Sequence, residues 1–173
     1  MNQQVKLDPI TQEQAATLQN MVELYAHDFS EHVPLDLKAN GRFDVSIGEL
    51  WWCTEDHYPF FLRWREKLVG FALVRKGSRV TGAVDAMDVA EFFVIRGARG
   101  KKAGRSAAHM LFKAFPGPWE IRVRQANLPA RRFWSGCVEA WTGERVSSTS
   151  FSAERVDWSL LCLDTSGGDA GRL

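Results

Sequence analysis

Hydrophobic positions recur at two spacings along the chain, and these mark out its elements. Residues 5–7 read as a short edge strand, broken by Asp8-Pro9, and Thr11 with Gln14 or Glu13 nearby is suited to cap a helix. Leu18, Met21, Val22, Leu24, Tyr25 and Phe29 then fall at helical spacing, a stripe that reads as core. Residues 30–46 hold Pro34, Gly41 and many charges, a loop or broken helix. Residues 47–52 predict a short second helix with Leu50 and Trp51 inward. Residues 59–64 and 68–74 predict two strands around the turn Arg65-Glu66-Lys67, an antiparallel hairpin. A loop covers 76–82. The run Val89-Ala90-Glu91-Phe92-Phe93-Val94-Ile95 predicts a buried strand. Ala107, Ala108, Leu111, Phe112 and Phe115 predict a helix, stopped by Phe115-Pro116-Gly117-Pro118. Residues 119–123 predict a strand and 127–140 a helix, with Pro129 early, where proline is tolerated. Phe133, Trp134, Cys137, Val138 and Trp141 are its apolar positions, and Gly143 ends it. Residues 144–152 and 157–163 read as two closing strands.

The resulting order is β-α-α-β-β-β-α-β-α-β-β. The middle β-α-β requires a right-handed crossover, while the hairpins at both ends are antiparallel. This predicts the α/β class: a mixed, mostly antiparallel central sheet with helices on both faces. Residues 1–163 form a single domain in this reading, and the polar, Gly-rich residues 164–173 a flexible tail.

The 173 residues suffice for one sizeable core, and a net charge of +1 excludes polyanion binding by bulk electrostatics. The charges are unevenly placed, however. Residues 23–56 hold eight acidic side chains against Lys38 and Arg42, while residues 96–132 hold ten basic ones against Glu120 alone. Such a division suggests two ligands of opposite sign. Cys53, Cys137 and Cys162 are far apart, with no CxxC and no histidine cluster beside them, so no metal is expected, and reduced thiols are. The first ten residues have no apolar signal core, and no run approaches about 20 apolar residues. The expectation is a soluble, cytoplasmic protein without membrane contact.

The segment Arg96-Gly97-Ala98-Arg99-Gly100-Lys101-Lys102-Ala103-Gly104-Arg105 joins a strand to a helix with three glycines and five cations. Amides left unpaired at a helix start, the helix dipole, and glycines that admit close approach together suit a phosphate. Neither the G-x-x-x-x-G-K-[ST] nor the G-x-G-x-x-G pattern is present. On the loop alone, a basic solvated turn reads equally well.

The element order and these residues resemble the GNAT superfamily of acyl-CoA-dependent N-acetyltransferases over roughly residues 5–163. That family follows a strand with [QR]-x-x-G-x-[GA] at a helix start, where this chain has Arg99-Gly100-Lys101-Lys102-Ala103-Gly104. It often continues with N-x-x-A and an aromatic pair, matched by Asn127-Leu128-Pro129-Ala130 and Phe133-Trp134. The phrase Phe115-Pro116-Gly117-Pro118-Trp119-Glu120 with Phe133-Trp134 is similar to a bacterial subgroup of predicted acetyltransferases. The resemblance implies acetyl-CoA as cosubstrate, with no metal. Backbone groups of Phe92, Phe93 and Val94 would pair with the pantetheine arm as an added strand. Gly100, Lys101, Lys102, Ala103, Gly104 and Arg105, following Arg99, would ring the diphosphate. Asn127 would reach the pantetheine amides, and Phe133 would pack on the cofactor. Two departures stand out. Lys102 replaces the family's usual first glycine, and its Cβ is tolerable only at negative φ. Trp134 stands where many members place a tyrosine that protonates the leaving thiolate, which an indole cannot do.

The implied reaction needs a neutral amine, and Glu91, beside an apolar run that would raise its pKa, is the candidate base. Asp88, His27, His32 and Asp28 are further candidates. The acidic stretch lies where the family covers its acceptor, and it would suit a cationic amine or be simply a solvated face. Trp51, Trp52, His57 and Tyr58 would line that pocket or serve as core. Two other functions remain open: a CoA-binding relative without turnover, and a nucleic-acid binder using the basic residues 96–132. No RNA- or DNA-binding signature supports the last, so the expected partners are acetyl-CoA and an amine, with no nucleic acid, on a monomer or homodimer.

Overall fold

In the computed structural model, which describes residues 5–167, the chain runs β1 (Val5–Pro9), α1 (Ala15–Phe29), α2 (Leu50–Cys53), β2 (His57–Trp64), β3 (Lys67–Lys76), β4 (Met87–Val94), α3 (Ala103–Ala114), β5 (Pro118–Arg124), α4 (Leu128–Thr142), β6 (Thr149–Ala153) and β7 (Val156–Asp164). All seven strands join one sheet in the order β1-β2-β3-β4-β5-β7-β6. Only β4 and β5 run parallel, so the sheet is mixed and mostly antiparallel, as the sequence predicts. Arg65 and Glu66 at φ 50° and 65° make the two-residue turn between β2 and β3, the hand that matches strand twist.

Each face of the sheet has its own core. Leu111 and Phe112 of α3 and Cys137 and Val138 of α4 pack on Val89, Trp119, Ile121 and Leu161. On the other face Leu18, Met21 and Val22 of α1 cover Phe61, Phe71, Leu73 and Phe93. Helices thus lie on both faces, because strand residues alternate between the two.

Several boundaries differ from expectation. Asp8-Pro9 does not break β1. Pro9 pairs with Phe60 at the strand's end, and Asp8 bonds Arg63 at 2.5 Å. Leu24 and Leu50, expected inward, are 55% and 58% exposed. The sheet surface beneath α1 is taken by Leu18, Met21 and Val22, and α2 is a single turn at the edge of that core. Residues 144–148 form no strand. Gly143 ends α4 at φ 75°, and the Thr142 hydroxyl donates to the Glu144 carbonyl at 3.2 Å, so the chain loops before β6. At the other end, Asp164 closes β7, and Thr165 is buried, its N–H donating to Gly117 O at 2.9 Å. The rest of the expected tail beyond residue 167 lies outside the described residues.

Candidate active site

β4 is paired with β3 along most of its length but with β5 only at Met87–Trp119 and Asp88–Glu120. The cause is a bulge. Leu73 opposes Glu91 and Val74 opposes Val89, which leaves Ala90 extra. A bulge bends and twists its strand, and β4 leaves β5 from that point. Ile95 N–H donates to Val69 O at 2.8 Å, so by the alternation of an antiparallel ladder residues 93 and 91 turn their backbone to β3. Phe92 and Val94 turn theirs to the open side. The Val94 carbonyl there accepts from Arg99 Nε at 2.8 Å.

A cleft of about 550 Å³ occupies the divergence. Phe92, Phe93 and Val94 form one wall, Arg99, Gly100, Lys102, Gly104 and Arg105 a second, and Asn127 and Phe133 a third. Ten of the predicted site residues therefore meet at one place. Three stand apart. Ala103 is buried under α3 as core. The Lys101 ammonium donates to Gly97 O at 2.7 Å and lies 5.0 Å from the Trp64 ring. Glu91 is turned to the α1 face of the sheet, like Phe93. A second groove of about 490 Å³, beside α4 and β7, holds none of the predicted residues.

The first turn of α3 faces the cleft with amides that have no partner inside the helix. Gly100 at φ 74° and Lys102 at φ 63° bend the loop into it. The condition that a Cβ at residue 102 is tolerable only at negative φ is not met: the turn into α3 takes the left-handed region, and lysine adopts it. A Cβ on Gly104 would stand 3.1 Å from the Phe133 ring, so this glycine lets α3 and α4 approach. Asn127 caps α4, its Oδ1 accepting from Ala130 N–H at 3.0 Å. Trp134 is 5% exposed and packs edge-on against Phe92 and Phe133.

On the other side of β4, Tyr25 of α1 donates its hydroxyl hydrogen to Glu91 at 2.6 Å. Burial pushes the Glu91 carboxyl above the ordinary carboxylate range, against the Tyr25 hydrogen bond and the charges of Arg122 and Arg75, which pull it down. Burial and the Glu91 charge also raise the Tyr25 phenol, so it stays protonated and a donor. Tyr25, read from its spacing as core, is a wall of the cleft. Sequence reasoning missed that role because its partner lies 66 residues away.

The other candidates fare differently. Burial alone would raise Asp28, but hydrogen bonds from Arg96 and Arg99 outweigh it and hold its carboxyl low. Arg96 also holds Glu31 at 2.5 Å. These pairs tie the end of α1 to the loop before α3 across the cleft mouth. Asp88 is buried against Arg75. The His27 side chain is 74% exposed. His32 lines the cleft, edge-on to Phe29. Trp51 packs on the α1-side core and edge-on to His57. Among the described residues, no group of three His, Cys, Asp or Glu is placed to hold a metal ion, and no helix is long and apolar enough to cross a membrane.

A sequence model of the acetyltransferase (GNAT) family matches residues 18–137. No curated protein matches the chain. Solved structures are similar in fold. An acetyltransferase from Thermus thermophilus has a TM-score of 0.68 at 13% identity, covering 92% of this chain and 96% of that one. A spermidine N-acetyltransferase from Vibrio cholerae in complex with CoA and spermine has a TM-score of 0.65 at 11% identity, covering 95% and 98%. The aminoglycoside acetyltransferase AAC(6')-Ib in complex with coenzyme A has 0.67 at 11%, covering 92% and 94%.

Proposed function

The chain belongs to the acetyltransferase (GNAT) family, and on that premise we propose that it moves the acetyl group of acetyl-CoA to a primary amine. The observation that carries this reading is the unpaired edge of β4 beside the start of α3, with Glu91 on the same strand. When bound, acetyl-CoA supplies an activated thioester acyl group. The chain's own residues do the rest. Phe92 and Val94 offer backbone donors and acceptors to an extended amide-bearing arm, by strand addition. The α3 amides over residues 103–105, with Gly100 and the side chains of Lys102 and Arg105, hold the diphosphate at a helix start. The Asn127 amide NH2 is left for the arm once its oxygen has capped α4, and the Phe133 ring packs on it.

Glu91 takes the proton of the incoming ammonium, directly or through water. Its raised pKa brings it nearer the amine's, and Tyr25 holds the carboxylate in place. Trp134 has no acid proton to return to the thiolate, so water or the protonated base carries it. Packed against both Phe92 and Phe133, Trp134 instead fixes the cleft wall.

Thermal shift with acetyl-CoA, CoA and an oligonucleotide tests binding, and thiol release over an amine panel tests transfer. We expect acetyl-CoA to stabilise the protein and the oligonucleotide not to. Gly104→Glu sets a carboxylate against the diphosphate and against the Phe133 ring, and it should abolish that stabilisation. Unchanged acetyl-CoA affinity in the variant refutes the loop assignment. Firm CoA binding without turnover on any amine replaces the enzyme by a binding relative.

A further inference from the structure

We propose that the acceptor carries an oxyanion, a carboxylate or a phosphate, beside its amine, and that Arg124 and Arg122 of β5 bind it. This rests on the acetyl-transfer reading and narrows it to one class of acceptor.

Residues two apart on a strand share a face. Arg122 and Arg124 lie opposite Leu160 and Trp158 of β7, on the Glu91 side of the sheet, since Val123 between them packs in the α3–α4 core. Both guanidinium groups lie over the Trp158 ring, at 5.4 and 5.1 Å. Arg124 also lies 5.6 Å from the Phe29 ring. Phe29 is a wall of the cleft, and its ring is 5.3 Å from that of Tyr25, the partner of Glu91. Two aromatic rings, those of Phe29 and Tyr25, therefore separate Arg124 from Glu91.

The cations on this floor outnumber the carboxylates free to answer them. Asp88 is taken by Arg75 and lies 3.9 Å from Arg122. Glu120 accepts from the Ser78 and Thr81 hydroxyls. Glu91 is held by Tyr25. Arg124 has no ion pair among the described residues, and its Nε is buried without a hydrogen-bond partner, as is that of Arg75. A buried guanidinium N–H without an acceptor is costly, and native structures rarely leave one so unless a ligand or water completes it. The charge of Arg75 is felt by its neighbour Arg79, whose pKa is lowered by it and then by burial and Arg122. Two aromatic rings hold Arg124 in place, which makes it a preorganised donor of the fork kind that suits carboxylate or phosphate.

Three carboxylates of the acidic segment are already answered within the chain. Glu23 accepts from the Phe43 and Asp44 N–H groups and pairs with Arg42. Asp28 and Glu31 pair with Arg96 and Arg99. A polycation would meet like charge here, and an amine with an oxyanion would meet its complement.

The test titrates the CoA-saturated and the CoA-free protein with amino acids, their amides, aminoethyl phosphate and spermidine, and follows thiol release with the same set. We expect amino acids or aminoethyl phosphate to bind and to be acetylated, the better arm identifying carboxylate or phosphate. Amides and spermidine should bind at least about tenfold more weakly. Arg124→Gln should raise Kd and KM for the oxyanion-bearing amines about tenfold or more, leave KM for acetyl-CoA unchanged, and not alter the response to amides. Arg124→Lys should recover part of the loss. Should Arg124→Gln fail to fold, Arg122→Gln takes its place. Equal or tighter binding of spermidine or amides, no binding of any oxyanion-bearing amine, or a Kd indifferent to both substitutions overturns the proposal. Oxyanion-bearing amines that bind without thiol release on any amine refute acetyl transfer and leave this assignment standing. Acetyl transfer to polyamines, untouched by Arg124→Gln, does the reverse.

Discussion

Lys102 offers a test in which backbone and charge can be separated. It stands at the start of α3 with φ 63° and ψ −2°, where an L-residue loses about 1–2 kcal/mol to the contact between Cβ and the following carbonyl. Replacing it with glycine removes that term, and the freer unfolded chain returns about 0.5–1 kcal/mol of it. Alanine keeps the Cβ and the strain while losing the same charge. Lys102→Gly should therefore be more stable than Lys102→Ala by about 1 kcal/mol, or some 2–4 °C in Tm for a protein of this size. Both variants lose a cation beside the α3 amides, and both should bind acetyl-CoA several-fold more weakly, the loss shrinking with added salt. Urea denaturation gives the first quantity and calorimetric titration the second. An alanine variant as stable as the glycine variant would show that the loop relaxes away from the left-handed region. An affinity unchanged in both would show that the Lys102 charge does not reach the ligand.

Three further substitutions probe the same geometry. Glu91 holds its proton in the folded state to a higher pH than in the unfolded chain, so it binds more protons when folded across that window. Stability should fall as pH rises from the ordinary carboxylate range through the raised value, and Glu91→Gln should flatten that slope in chemical denaturation. The same substitution should cut kcat/KM by about 10²–10⁴ and abolish the acidic limb of its pH profile. Tyr25→Phe deletes a donor to the carboxylate and should move that limb to higher pH; a limb that stays put separates Tyr25 from the base. Gly70→Ala would put a Cβ 2.1 Å from the Phe93 carbonyl oxygen, a backbone atom of the neighbouring strand. It should destabilise by about 2–3 kcal/mol in denaturant melts.

The element order was legible because each face of the sheet is buried by a helix, which forces period-two strands and helices with a clear apolar stripe. Where burial stopped, legibility stopped with it. Leu24 and Leu50 fit their helical stripes and still face solvent, since the sheet beneath was already covered. The bulge at Ala90 left no trace in the sequence, for an apolar run reads the same with or without an extra residue. Yet that bulge parts β4 from β5 and makes the cleft.

The candidate site was legible in the residues that act through local geometry and hidden in those that act through a distant partner. Gly100, Gly104 and the loop cations announce a tight turn into a helix start, which the structure sets beside the cleft. Tyr25 announces nothing, because a phenol at a helical core position is the same in sequence whether it packs or holds Glu91. Charge counting was incomplete without the fold in a related way. The acidic and basic segments suggest two ligands of opposite sign, but Asp28 and Glu31 answer Arg96 and Arg99 within the chain. Setting those pairs aside leaves eight of the ten basic residues, and among them Arg122 and Arg124 lie two apart on one strand and over the Trp158 ring. What a segment's net charge says about its ligand is thus decided by which charges the fold has already paired, and on this face of the sheet Arg124 is a cation left without an ion pair among the described residues.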